Sequence, residues 1–432
     1  MMKKTVKVAY VGCGGRACWV LQDCLRHMKD VEFPMICDIR DRALDRATDL
    51  LVEMGRPAPK RTHNYEDVLK DPEIDAVMIM TGWEDRAEMA EKALRAGKYT
   101  AIEVGCAFDL SECFRLLEAY EETKVPLMML ENCCYSRREM MALNVAKQGH
   151  FGEIVHCEGG YHHHLPAEDL LRDENYDRIK GIEGEKSHYR IQSYIHRNCE
   201  QYPTHELGPI MKILGINRGN KMLTLSSFAS KARGLKDAAG KILGKDNYYA
   251  NIDYKQGDII NTVITCQNGE TIRLCLDTTL PRPFYSRNFT VRGVDGMYTE
   301  ERRVLYFDGM EEQADLFDNE EEMFAKYDHP LHAEYVRLGE RGGHGGIDWL
   351  VCRAFIESVK NGTNTPIDAY DTLALMAIAP LSEASIAQGG APVQVPDFTR
   401  GKWMHREPVV RSKYCLDEVV VDESVKIFDE DE

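Results

Sequence analysis

The chain has 432 residues, 44% hydrophobic and 29% charged, enough for two or three soluble domains with their own cores. Its net charge of -17, with Lys and Arg dispersed, argues against nucleic acid or an anionic membrane surface as the main partner and suits a neutral or cationic small ligand. Fourteen cysteines lie scattered with no C-x-x-C pair, which points to free buried thiols in a reducing cytoplasm; no run of about 18 apolar residues offers a membrane span.

The first residues, MMKKTVKVAYVGCGG, run from two lysines into a short apolar stretch and straight into a glycine turn, so they read as a first strand rather than a signal peptide. Val6–Val11 is that strand. Gly12, Gly14 and Ala17 complete a G-x-G-x-x-A pattern, and a helical pattern follows through Val20, Leu21, Cys24 and Leu25. Gly12 permits a tight turn, Gly14 lets a pyrophosphate approach the backbone, and the helix that starts at Gly15 and Arg16 presents its N-terminus to the anion. A second strand, Phe33–Cys37, ends at Asp38, about 20 residues on, where a carboxylate would take the ribose hydroxyls and favour NAD over NADP. Arg40 and Arg42 stand close by, and a plain strand–helix turn with a surface aspartate is the bland alternative. Alternation continues through a helix at Tyr65–Lys70, a strand at Ala76–Met80, a helix at Ala87–Ala96, a strand at Tyr99–Val104, a helix begun by Ser111 and a strand at Val125–Leu130. Polar groups at strand ends line the ligand crevice of such sheets, so Asp38, Trp83, Glu84, Arg86, Glu103 and Asn132 are candidates for one crevice.

From Tyr135 the composition changes. The expectation is an α/β Rossmann domain over 1–134 and an α+β domain over 135–432 with an open, mostly antiparallel sheet. An amphipathic helix, Arg137–Lys147, precedes a strand, Gly152–Tyr161, that delivers Tyr161 and then His162, His163 and His164. Neighbouring side chains alternate faces, so three consecutive histidines are poor evidence for one metal site, and no metal is assigned. Residues 165–190 are charged and loop-rich, an insertion able to cover a cleft. Strands are expected at 221–227, 257–266, 271–278, 289–292 and 296–307, one sheet face packed and the other left for substrate or a partner subunit of a homo-oligomer, dimer or tetramer. Residues 311–327 read as a solvated acidic surface, 347–359 and 372–387 as core helices, and the acidic tail as a surface strand with a frayed end.

The stretch His196–Pro209, HRNCEQYPTHELGP, carries the densest chemistry. Pro203 suits a helix start, Leu207, Ile210, Met211, Ile213 and Leu214 continue at helical spacing, and Gly215 ends the helix. His205 then lies in the first turn, where the helix dipole favours a neutral, proton-accepting imidazole. Taken alone, this is equally a polar cap over a core helix, and Tyr161 equally a satisfied core phenol.

The order of elements resembles the oxidoreductase superfamily of glucose–fructose oxidoreductase and inositol dehydrogenase. Where that superfamily carries Glu-Lys-Pro with a working lysine, this chain has Glu103-Val104-Gly105, and where an aspartate precedes the catalytic histidine by four positions it has Gln201. The segments GCGGRA, Trp83-Glu84, Glu103-Val104, MMLEN, EGGY, His188-Tyr189-Arg190, HRN, YPTH, ELGP, INRG, His344 to Asp348 and Thr365 to Asp368 resemble the NAD-dependent α-N-acetylgalactosaminidases of glycoside hydrolase family 109 over nearly the whole chain. The residues at 165–190 and the continuation GYHHH depart from that pattern. The resemblance implies a glycosidase in which NAD takes hydride from C3 of the sugar, the C2 proton is removed, the aglycone is eliminated from C1, water adds, and the ketone is reduced again. It implies His205, Tyr202 and Tyr161 as the proton-transfer groups. It also implies Arg190 and Tyr285 with them at the substrate, and Gly12, Gly14, Gly15, Arg16, Asp38, Trp83, Glu84, Arg86, Glu103, Val104 and Asn132 at the cofactor. The alternatives are an NAD-dependent sugar or polyol dehydrogenase of the same superfamily, against which the missing lysine and aspartate argue, and a catalytically silent sugar- or NAD-binding regulator.

Overall fold

In the computed structural model residues 5–311, 315–408, 410–421 and 427 are described. Six short strands form the first sheet, all but the polar edge strand β3 rich in buried apolar residues: β1 (Val6–Val11), β2 (Val31–Cys37), β3 (Lys60–Thr62), β4 (Ala76–Ile79), β5 (Tyr99–Ile102) and β6 (Leu127–Met129). All pairs are parallel and the order is β3-β2-β1-β4-β5-β6. The order reverses between β1 and β4, which opens a crevice at their carboxyl ends. Helices α1 (Gly15–Asp23), α2 (Asp41–Glu53), α3 (Tyr65–Lys70), α4 (Trp83–Arg95) and α5 (Leu110–Thr123) supply the crossovers. Two starts differ from expectation. Helix α4 begins four residues early, so Trp83–Arg86 form its first turn, and α5 is capped by Asp109, whose carboxylate accepts from the N–H groups of Ser111 and Glu112.

After α6 (Arg137–Lys147), strand β7 (Ile154–His162) enters the second sheet. The chain then passes α7 (Tyr189–His196), α8 (Thr204–Ile213), β8 (Met222–Ala229) and α9 (Gly234–Leu243) to β9 (Ile259–Cys266), β10 (Thr271–Asp277), β11 (Thr290–Gly293), β12 (Gly296–Thr299) and β13 (Val304–Phe307). Helices α10 (Glu320–Tyr327), α11 (Pro330–Leu338), α12 (Ile347–Asn361), α13 (Ala369–Met376) and α14 (Ile378–Ala387) follow, and β14 (Val393–Gln394) closes the eight-strand order β13-β12-β11-β7-β10-β9-β8-β14. Only β7 and β10 run parallel. Strand β9 alternates buried and exposed residues, so one face is packed and the other open.

Several sequence expectations need correction. Residues 296–307 make two strands rather than one, and 372–387 fall in two helices, α13 and α14. The acidic stretch 311–327 is not all solvated surface: Glu320, Met323 and Phe324 are buried, with Glu320 accepting from Arg138 and Tyr298. The insertion is anchored, because Leu165, Leu170, Leu171 and Ile179 share a small core with Tyr161, Ile191, Tyr194 and Leu235. Most of the tail strand expected after Asp417 lies outside the described residues. Among the described residues every cysteine is free and all but the half-buried Cys275 are buried, and no helix is long and apolar enough to cross a membrane.

Helix α11 carries a pH-sensitive cap. His329 is buried and its Nδ1 accepts from the Leu331 N–H, which requires an unprotonated nitrogen. Burial, reinforced by the neighbouring ring, pulls His329 down to about 3, and burial with Arg137 nearby pulls His332 to about 4. The unfolded chain, with ordinary imidazoles, takes up protons that the folded chain refuses. Stability is therefore full above about pH 6.5 and falls as pH drops, by about 2 kcal/mol per ring between pH 7 and pH 5. The substitution His329→Asn keeps a capping acceptor without the titration. Denaturant unfolding at the two pH values should show the variant losing about 2 kcal/mol less than the parent, and equal losses would contradict this.

Candidate active site

The nucleotide side of the site is built at the β1 turn. Gly12 has φ +84°, and a Cβ there would lie 2.8 Å from the Thr81 nitrogen, so the turn packs directly on the end of β4. A Cβ at Gly14 would meet only Arg40 Nη2, at 3.8 Å, which leaves room above the turn for a diphosphate. No side chain caps α1, so its first N–H groups are available to an anion. Asp38, buried at the end of β2, accepts from Cys13 N at 2.7 Å and Arg40 N at 2.9 Å, and the Arg40 guanidinium donates to it at 3.2 and 3.4 Å, longer contacts that ribose hydroxyls could replace. This cradle fits a dinucleotide such as NAD. The insertion reaches it: Arg40 donates to the Glu174 carbonyl, Arg42 pairs with Asp177, and the Tyr176 ring lies beside Gly15.

A buried carboxylate organises the next layer. Asp348, at the start of α12, accepts from Arg16 Nη2 (2.5 Å) and Asn132 Nδ2 (2.8 Å) through one oxygen and meets His344 Nδ1 (2.7 Å) with the other. Burial opposes its ionisation, but the His344 and Arg16 bonds win and hold it down at about 2. Arg16 also faces Glu103 at 3.5 Å. Thus the α1 arginine, the β5 end and the turn after β6 are tied together by a residue from far along the chain. Arg86, expected in the crevice, is instead a brace: its guanidinium donates to the carbonyls of Thr81, Glu103 and Val104. Trp83 is buried against Tyr189, and Glu84 is exposed on the first turn of α4.

Helix α8 brings the second half of the site to the first. Its Gly208 passes the turn after β6 so closely that a Cβ would lie 2.9 Å from Glu131 Cγ, and on its other side Gly159 of β7 leaves no room for a Cβ beside Glu206. The result is a hydrogen bond of 2.8 Å between His205 Nδ1 and Glu131 Oε1. Glu131 is fully buried; burial opposes its ionisation, but the His205 ring outweighs that and holds the carboxyl below its ordinary value. A carboxylate on Nδ1 directs the other imidazole nitrogen outward as an acceptor, as in a nucleophile–base–orienter arrangement. So the carboxylate partner missing at position 201 is supplied from the first domain. Gln201 itself donates to Gln256 and faces away from this pair.

Aromatic rings surround His205. Tyr202 stacks on Tyr161 with centroids 4.3 Å apart, and the His205 ring stands edge-on to both, at 4.9 and 5.4 Å. Tyr285 joins at 6.0 Å from Tyr161. Arg190 lies over Tyr202 at 4.8 Å, with one arm held by Asp169. Burial drives the Tyr161 phenol up to about 12 against the opposing pull of Arg190. Beneath them, buried Arg287 binds Glu206 (2.8 Å), Glu139 (2.5 Å) and Cys133 Sγ (2.9 Å). Glu131, Cys133 and His205 bring a carboxylate, a thiol and an imidazole within 4.8 Å of one another, a donor set a soft cation could use, although Arg287 already sits on the thiol. The three consecutive histidines diverge: His163 meets Tyr161, and His164 meets the Leu280 carbonyl, while His162 lies close to Gly160.

The sequence-derived set therefore gathers at Tyr161, Arg190, Tyr202, His205 and Tyr285 on one side and Gly12, Gly14, Arg16, Asp38, Glu103 and Asn132 on the other. Glu131, a carboxylate directly after a buried strand and so a second candidate base in the sequence, is placed as the partner of His205. Sequence reasoning missed the anchoring parts of Asp348 and Arg287; the spacing of four between His344 and Asp348 was an available signal for the first, and nothing local marks the second.

Residues 6–131 match the family described as oxidoreductase family, NAD-binding Rossmann fold, and residues 135–405 match glycosyl hydrolase 109, C-terminal domain. A glycosyl hydrolase family 109 protein of Stenotrophomonas maltophilia is 38% identical over 421 residues, covering 94% of this chain and 92% of its own. The α-N-acetylgalactosaminidase of Tannerella forsythia is 35% identical, over 93% of this chain and 88% of its own. Among solved structures, levoglucosan dehydrogenase with NADH and levoglucosan superposes with a TM-score of 0.64 at 17% identity, covering 91% of this chain and all of that one. An NAD-binding oxidoreductase from Klebsiella pneumoniae superposes at 0.67 and 14%, over 91% and 99%.

Removing the Asp348 carboxylate frees Arg16 and Asn132 from their shared anchor. Asp348→Ala should weaken NAD binding about tenfold or more, the cost of losing charge-assisted hydrogen bonds, in a calorimetric titration. Unchanged affinity would show that the anchor does not serve the cofactor.

Proposed function

The chain belongs to glycosyl hydrolase family 109, and on that premise we propose that it hydrolyses glycosides by a redox-neutral elimination and addition across C1 and C2 of the sugar. It is a glycosidase built on an NAD-binding Rossmann fold. The His205–Glu131 pair beside the Tyr161 ring is the observation that carries the mechanistic part of the reading. When bound, NAD would supply the oxidant for a sugar hydroxyl and, in the same turnover, the reductant for the resulting ketone; Gly12, Gly14, Arg16, Asp38 and Asn132 are the groups that would hold it.

The remaining chemistry is proton transfer by this chain's residues. His205, with Nδ1 engaged by Glu131, takes the C3 hydroxyl proton on its other nitrogen and returns it at the end. A C3 ketone acidifies the C2 proton, and Tyr161 removes it, with Arg190 beside the phenol favouring the phenolate. The aglycone then leaves C1 with the bonding pair on its oxygen, water adds at C1 as hydroxide while its other proton goes to the departed oxygen, and Tyr161 returns the C2 proton. Tyr202 and Tyr285 supply ring faces that exclude water from the sugar's flanks. N-Acetylgalactosaminides are the first substrates to try, given the name of the Tannerella forsythia relative.

Incubation with an aryl N-acetylgalactosaminide in deuterated water should release the phenol without accumulation of reduced cofactor, in proportion to bound NAD. His205→Ala should lower kcat by about 100-fold or more. Full activity in that variant, or one reduced cofactor formed per sugar oxidised with no aglycone released, would overturn the assignment in favour of another base or of a dehydrogenase.

A further inference from the structure

A phenol driven up to about 12 by burial is a poor source of phenolate near neutral pH, so Tyr161 needs somewhere to put its own proton as it takes the one from C2. We propose that His163 is that acceptor, a positioning residue that acts through Tyr161 by drawing off the phenol proton and handing it back. This inference rests on the reading of Tyr161 as the C2 base.

Three observations carry it. Tyr161 and His163 stand two residues apart at the end of β7, so their side chains leave the same side of the strand, and Tyr161 Oη lies 3.1 Å from His163 Nδ1. The other ring nitrogen, Nε2, lies 3.2 Å from Glu168 Oε2, on a side chain that is 66% exposed. His162 and His164 make no part of this chain of contacts: His164 Nδ1 binds the Leu280 carbonyl, and His162 is set beside Gly160. The middle histidine alone therefore links the phenol to the surface.

The polarity of the chain follows from its far end. An ionised carboxylate only accepts, so the hydrogen of a neutral His163 belongs on Nε2, and Nδ1 is left with a lone pair toward the phenol O–H. Besides Glu168, the groups facing His163 are Asp169 from the same turn, Arg190 from α7, the Tyr161 phenol from β7 and the Tyr285 ring, 5.4 Å away. Burial outweighs the two carboxylates and keeps the imidazole below its ordinary value, hence neutral and able to accept. In the step itself the two protons move together: the C2–H bond breaks and an O–H bond forms at Tyr161 as the phenol's own O–H bond breaks and an N–H bond forms at Nδ1, so no free phenolate builds up. The C2–H electron pair passes into the enolate of the C3 ketone, and the imidazolium is balanced by Glu168. Reprotonation runs the same path backwards, and no proton is gained or lost overall.

His163→Gln keeps a hydrogen-bonding side chain of similar size but cannot take up a proton. With that variant kcat at pH 7 should fall about tenfold or more with KM within about twofold, and it should climb by about tenfold per pH unit up to pH 9, because phenolate must then form by loss of the proton to solvent. The parent enzyme should be flat over that range. A variant with parental kcat overturns the relay. So does a lower kcat that keeps the parental pH profile, the mark of a merely structural part. Should His163→Gln not fold, Glu168→Gln at the exposed end carries the test, with kcat reduced by about threefold at unchanged KM expected, and unchanged kcat overturning the relay. A parent protein that releases no aglycone from any glycoside would instead overturn the glycosidase reading on which the relay rests.

Discussion

Everything at the centre of this molecule depends on how closely α8 can lie between two neighbours. On one side it meets the turn after β6, and Gly208 is the residue that lets Glu131 pass. On the other it meets β7, where Gly159 leaves room for Glu206. A Cβ at Gly208 would lie 2.9 Å from Glu131 and one at Gly159 2.3 Å from Glu206, so the helix would have to give by roughly 0.5–1 Å to reach ordinary contact, enough to stretch the His205–Glu131 hydrogen bond. The same approach sets Tyr161, at the end of β7, against the Tyr202 and His205 rings. One helix thus joins a carboxylate of the nucleotide-binding sheet to a phenol of the second sheet.

Buried charge holds that joint in register. Asp348 ties α1, Asn132 and His344 to α12, while Arg287 ties Cys133 to Glu139 and Glu206 below α8. Such clusters are costly to dehydrate and add little net stability over an apolar core, but removing one member leaves the rest uncompensated. Their value here is geometric. They fix residues drawn from distant parts of the chain around a space that must be dry enough for electrostatics to be strong and polar enough to move protons.

The first sheet was legible almost strand by strand, because each buried parallel strand is a continuous apolar run closed by a turn residue. The helix that carries His205 was legible too, from Pro203 through the apolar spacing to Gly215. The errors have physical causes. Trp83–Arg86 read as a strand end because its polar residues follow Ile79 and Met80 directly, yet Gly82 serves as the helix cap. Residues 165–190 read as charged and loop-rich because their apolar residues are sparse and irregularly spaced, and that spacing hid the four that are buried in the small core around Tyr161. Arg86 read as a ligand group because an arginine that binds backbone carbonyls looks, in sequence, like one that binds substrate. The contacts of Asp348 with Arg16 and Asn132, and those of Arg287 with Cys133 and Glu139, could not be placed, since these partners lie more than a hundred residues away and no local pattern records the pairing. The Gln201 that signalled a missing carboxylate was informative in an unexpected direction: the partner of His205 had moved to Glu131.

The proposed chemistry unites a redox cofactor with an imidazole and a phenol as proton-transfer groups, where most glycosidases rely on two carboxylates. That combination makes sense if oxidation at one carbon serves only to loosen a bond at another and is undone before the product leaves. A glycoside labelled with deuterium at C3 probes this directly. Redox-neutral hydrolysis predicts slower release of the aglycone from the labelled substrate and a free sugar that still carries the label at C3. Release at an unchanged rate, or a sugar that has lost its label to the solvent or to free cofactor, would contradict it.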